Sequence, residues 1–118
     1  LKDVVTALIE AGADINLAKK DGGTPLFVAS QEGHVEVVRE LLRGGASIDQ
    51  ADNYGATPLF MASLEGRAEV VRELLTAVAD HTLACILDGP SELTPLGAAY
   101  LYGHHSIVQL LLEYGALA

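Results

Sequence analysis

Thr24-Pro25-Leu26-Phe27-Val28-Ala29-Ser30 returns as Thr57-Pro58-Leu59-Phe60-Met61-Ala62-Ser63, a spacing of 33 residues from Thr24 to Thr57. Downstream, Glu36-Val37-Val38-Arg39-Glu40-Leu41-Leu42 recurs at the same spacing as Glu69-Val70-Val71-Arg72-Glu73-Leu74-Leu75. A third copy starts at Thr94-Pro95-Leu96, 37 residues beyond Thr57, and runs through Gly103-His104 to Leu111-Leu112 and Gly115-Ala116, so four residues are inserted before it. Counting back one period from Val37, Val38, Leu41, Leu42, Gly45 and Ala46 reaches Val4, Val5, Leu8, Ile9, Gly12 and Ala13. The chain opens halfway through a unit, as a segment of a longer array would.

Each unit reads as two helices and a turn. Thr24, Thr57 and Thr94 suit an N-cap hydroxyl, and the proline behind each suits the first helical position, where a missing N–H costs nothing. The short helix so begun should close at Gly33, Gly66 and Gly103 in the left-handed conformation. In the second helix Val37, Val38, Leu41 and Leu42 form an apolar stripe, with Glu36, Arg39, Glu40 and Arg43 expected to face water. Gly44 and Gly45 should stop it, and the stretch from Ser47 to Ala56 should turn with Gly55 at positive φ. Neither stripe can be buried within one unit, so units must stack and share a core running along the array, with Leu41 and Leu74 inside it.

The period of 33 with T-P-L, G-H and L-L-x-x-G-A resembles the ankyrin repeat over nearly the whole chain. The expected architecture is an all-α solenoid forming a single domain over residues 1–118, with a partial repeat at 1–16 and repeats at 17–49, 50–82 and 83–118. The resemblance implies short inner helices lining a concave face, longer outer helices on a convex back, and fingers projecting from the concave edge. It further implies a non-catalytic module that binds another protein across that inner face and the finger tips. Carried over position by position, the contact residues are Lys20, Asp21, Gln31 and Glu32, then Asn53, Tyr54, Leu64 and Glu65, then Ser91, Leu93, Leu101 and Tyr102. Tyr54, Leu64, Leu101 and Tyr102 form the expected centre, and Lys20 and Glu65 the rim. The polar members come early and the apolar ones late. The competing reading is a structural spacer in a longer array of a larger multidomain protein. Leu1, Val4, Val5 and Leu8 at one end, and Ile107, Val108, Leu110, Leu111 and Leu112 at the other, predict end-to-end self-association.

The chain departs from the family's pattern in three places. Phe27, Phe60 and Gly97 replace the histidine that follows T-P-L, which predicts apolar packing there. Val78 stands where Gly12, Gly45 and Gly115 stand, and Glu92 where Gly22 and Gly55 stand, so the outer helix before Val78 is expected to run on or end irregularly. Leu83-Ala84-Cys85-Ile86-Leu87 gives the longer finger an apolar patch, expected to fold onto the adjacent unit, with a binding role as the alternative. Asn16, eight residues after Leu8, also resembles the acceptor of asparaginyl hydroxylases; the alternative is a turn asparagine that bonds its own backbone.

Composition narrows the function. Half of the 118 residues are hydrophobic, and none of the apolar runs is long enough to span a membrane. Sixteen acids against seven bases give a formal charge of −9, which opposes binding to nucleic acid, and two Phe, four Tyr and no Trp leave little to stack on bases. Cys85 is the sole cysteine, so an internal disulfide or an all-cysteine zinc site is excluded, and a reducing, cytoplasmic setting is expected. His81 with Cys85, and His104 with His105, lack the convergent ligands of a metal site. Asp21-Gly22-Gly23-Thr24 lacks the lysine and spacing of a phosphate loop. No catalytic constellation and no cofactor is expected.

Overall fold

The structure is a computed structural model, and it describes residues 7, 10–12, 14–86 and 91–115. Three helix pairs follow one another: α1 (Pro25–Glu32) with α2 (Val35–Arg43), α3 (Pro58–Glu65) with α4 (Ala68–Thr76), and α5 (Pro95–Leu101) with α6 (His105–Glu113). The hydroxyls of Thr24, Thr57 and Thr94 accept from the backbone N–H of Phe27, Phe60 and Gly97 at 3.2, 3.1 and 3.1 Å, with the proline at the head of each helix. Gly33 and Gly66 close α1 and α3 at φ 78° and 79°. In the last pair Tyr102 is the cap, and the left-handed residue is Gly103 just beyond it.

The inner helices α1, α3 and α5 pack side by side, as do the outer helices α2, α4 and α6, and each inner helix packs on its own outer helix. Leu26, Leu59, Leu96, Val38, Leu41, Val70, Leu74, Ile107 and Leu111 join in one core along the stack. A second cluster, Phe27, Ala56, Phe60, Cys85 and Ala98, lies under the fingers. The phenylalanines therefore pack as apolar residues where the family's pattern has histidine.

Polar contacts between units recur with the period. Asn53 N donates to Asp21 O at 2.8 Å, and one unit later Ile86 N donates to Tyr54 O at 3.2 Å. Arg67 Nε donates to Gln31 O at 3.0 Å, and His104 Nε2 donates to Leu64 O at 2.9 Å. Ser47 N donates to Asn16 Oδ1 at 2.8 Å, and Asp80 N to Asp49 Oδ1 at 2.9 Å. Gly33 and Gly66 are required twice over. A Cβ there would sit 2.9 Å from Arg67 Cδ and 2.7 Å from His104 Cε1, and both backbones are left-handed.

Several expectations need correction. Glu40 is buried and paired with Arg43, not exposed to water, and the equivalent Glu73 is half-buried and accepts from Arg39 of the preceding outer helix at 2.9 Å. Val37 and Leu42 are only half-buried. The outer helix before Val78 does not run on. It ends at Thr76, Ala77 caps it, and Val78 itself takes φ 68° while 82% exposed. Ile107, Leu110 and Leu111 are buried in the chain's own core and Val108 is half-buried, which leaves Leu112 as the exposed apolar residue of α6. Leu1, Val4, Val5 and Leu8 lie outside the described residues.

Candidate functional site

The fingers are positioned by backbone bonds to one another, which brings several of the expected contact residues together. In the first finger Lys20 and Asp21 are exposed; Asp21 pairs with Lys19 at 3.7 Å and its Oδ1 accepts from Gly23 N at 2.9 Å. Asn53 joins them, since its side chain donates to Lys20 O at 3.0 Å while its backbone N–H reaches Asp21 O. In the second finger Asp52 Oδ1 accepts from Tyr54 N and Ala56 N, both at 2.9 Å, and Asp52 N donates to Ala56 O. With Gly55 at φ 83°, this closed polar turn holds the Tyr54 side chain out in solvent, 64% exposed.

The third finger is built differently. β1 (Cys85–Ile86) pairs antiparallel with β2 (Glu92–Leu93), Cys85 opposite Leu93 and Ile86 opposite Glu92. Cys85 is buried against the second finger, its Sγ 3.4 Å from Tyr54 O. Burial pushes the thiol pKa up, and the Asp52 carboxylate adds to the shift. The apolar patch is divided: Cys85 packs inward, whereas Leu83 and Ile86 are exposed, and Leu87 lies outside the described residues. At the base of this finger, Asp80 is held below the usual carboxylate range by hydrogen bonds from the Thr82 hydroxyl and backbone.

On the inner helices Glu32 and Glu65 are exposed, as are Leu101 at 66% and Tyr102 at 60%. Ser91 is exposed on the last finger. Gln31, Leu64 and Leu93 are half-buried. Leu64 and Leu93 pack against the Phe60 cluster, so the expected centre loses Leu64 as a free anchor. Gly97 makes room for Leu93: a Cβ at 97 would lie 2.7 Å from Leu93 Cδ1.

Three participants escape a reading of the sequence. Tyr100, 72% exposed, occupies the position of the fully buried Ser30 and Ser63. Ile86 becomes visible only once the hairpin register is known. Arg67 had a signal, since it shares its place in the period with His34 and His104. Asn16 does not bond its own backbone through its side chain; it accepts from Ser47 of the next unit, while its own N–H goes to Asp14 Oδ1 at 3.0 Å. Among the described residues there is no group of three or more His, Cys, Asp or Glu side chains able to hold a metal, and no helix long and apolar enough to cross a membrane.

The family model for ankyrin repeats (three copies) matches residues 1–85, and that for a single ankyrin repeat matches residues 91–118. A comparison with curated proteins finds no match.

Proposed function

Since the chain belongs to the ankyrin-repeat family, whose members are generally non-catalytic protein–protein interaction modules, we propose that it binds a partner protein across its inner helices and finger tips. One contrast carries the reading. The outer helices of the second and third units repeat Glu-Val-Val-Arg-Glu-Leu-Leu, whereas the finger and inner-helix positions change from unit to unit: Lys20 to Asn53, Asp21 to Tyr54, Gln31 to Leu64 to Leu101. Uniform positions serve the stack, and varied, exposed positions serve recognition. Tyr54, Leu101 and Tyr102 are the anchors, because exposed aromatic and aliphatic side chains on a rigid surface supply most binding energy; Lys20, Asp21, Glu32, Asn53, Glu65 and Ser91 form the rim. Once a partner is isolated, Tyr54→Ala and Tyr102→Ala should each weaken binding by about 2 kcal/mol with unchanged thermal melts. Arg39→Ala and Arg72→Ala on the outer helices should leave it intact. The opposite pattern would put the site on the wrong face.

A second reading, stacking of further repeats or of another copy on the ends, has its own support. Pro25 is exposed where Pro58 and Pro95 are buried, and Tyr100 and Leu112 are exposed where Ser63 and Leu75 are buried under the next unit. Light scattering over a wide concentration range tests it, with a mass that rises with concentration expected. For Asn16, half-buried and bonded to Ser47, the proposed hydroxylation predicts a mass gain of one oxygen in protein from its native host.

A further inference from the structure

The second and third fingers border a shallow, open cleft of about 400 Å3 lined by Asn53, Tyr54, Gly55, Ala84, Ile86 and Glu92. Three kinds of surface meet in it. Tyr54 offers an exposed aromatic ring, Ile86 and Ala84 an aliphatic shelf, and Glu92 an exposed carboxylate with no ion-pair partner among the described residues. Glu92 is the one charged side chain among its lining residues, and the sequence around the third finger carries no strong base. No Lys or Arg follows Arg72 in the sequence, while Glu73, Asp80, Asp88, Glu92 and Glu113 do. On the outer helices, by contrast, Arg39 and Arg43 answer Glu73 and Glu40.

A ring, a shelf and an unanswered carboxylate fit a side chain with a long apolar stem and a delocalised cationic head. The stem covers aliphatic surface while the head stays at the rim. A guanidinium stacks on a tyrosine face and meets a carboxylate in a two-pronged hydrogen bond, which an ammonium does less well. We propose that this cleft receives an arginine, flanked by apolar residues, from the partner protein, with the guanidinium between Tyr54 and Glu92 and the stem along Ile86. The proposal rests on the partner-binding reading and adds the chemistry of the partner to it.

The test is an NMR titration of the whole chain with acetyl-Leu-Arg-Leu-amide and with its citrulline analogue, which keeps the shape and removes the charge. Shifts concentrated at the amides of Tyr54, Gly55, Ala84 and Ile86 are expected, about fivefold weaker binding for the citrulline peptide, and a similar loss in Tyr54→Ala and Glu92→Gln. Tyr54→Phe, which keeps the ring, should retain binding, and thermal melts should be unchanged throughout. Equal binding of the two peptides, shifts centred elsewhere, or none would overturn the arginine site. A peptide display selection on the chain separates this from the broader reading. Selected peptides that lack a basic residue yet bind the inner-helix face overturn the arginine and leave partner binding standing. A selection that returns no binder counts against both.

Discussion

The finger closed by Asp52 and the finger built on Cys85 hang from equivalent helix pairs, yet they hold their shapes by different means. The first is self-contained: one carboxylate oxygen takes two backbone N–H groups, and a left-handed glycine completes the turn. The second has Glu92 in the glycine's place and four residues more. It stands instead on a short antiparallel ladder and on two side chains, Cys85 and Leu93, set into the Phe60 cluster. Gly97 supplies the space for Leu93 by having no side chain of its own. A local polar turn has been exchanged for tertiary burial, and the unit that carries the change yielded the volume for it.

That exchange can be broken most severely at the shared support. Phe60 is fully buried beneath both fingers, and Phe60→Ala should cost about 3 to 5 kcal/mol in urea unfolding. A loss below about 1 kcal/mol would mean that the fingers do not depend on the cluster. Next comes restoration of the pattern: Gly97→Phe should destabilise by about 1 to 3 kcal/mol through collision with Leu93, and adding Leu93→Ala should recover part of it. A double variant no better than Gly97→Phe alone would break the exchange argument.

A smaller effect sharpens the contrast at the finger roots, where Gly45 has φ 91° and Val78 has φ 68°. A β-branched residue is strained in that region. Val78→Gly should therefore raise stability by about 1 kcal/mol, and Gly45→Val should lower it by a similar amount, both read from thermal melts. Smallest is the control on the outer helices. Arg39→Ala removes one partly exposed ion pair to Glu73 and should cost about 0.5 kcal/mol, fading as salt is added.

How much of this the sequence discloses follows from what a period can encode. Helix starts at Thr24, Thr57 and Thr94 and the αL closures at Gly33 and Gly66 are legible because each depends on residues within one unit, and the apolar use of Phe27 and Phe60 and the burial of Leu41 and Leu74 are legible because the apolar pattern recurs and forces the units to stack. Leu64 is misjudged because Cys85, Leu93 and Ala98 of the next unit share its cluster, and Glu40 because it is buried beside Arg43. Val78 is legible as an anomaly but not in its outcome: the repeating packing on either side ends the helix on schedule and forces the strained backbone on whatever residue stands there. The apolar stretch at 83–87 could not be divided into inward and outward members without the register of the ladder. Of the proposed contact residues, Tyr54, Leu101 and Tyr102 are exposed, whereas the cleft arises only when two fingers are seen together.

Because Ile86 lies opposite Glu92, the ladder brings both ends of the intervening stretch to one point. Such a junction works as a port. Sequence can be added there without disturbing the stack, since each doubling of a flexible loop costs only about 0.6 kcal/mol in closure entropy. The four inserted residues are then an early instance of a growth the architecture tolerates, and a grafted recognition loop at this point should reach a ligand while the repeats beneath keep their packing.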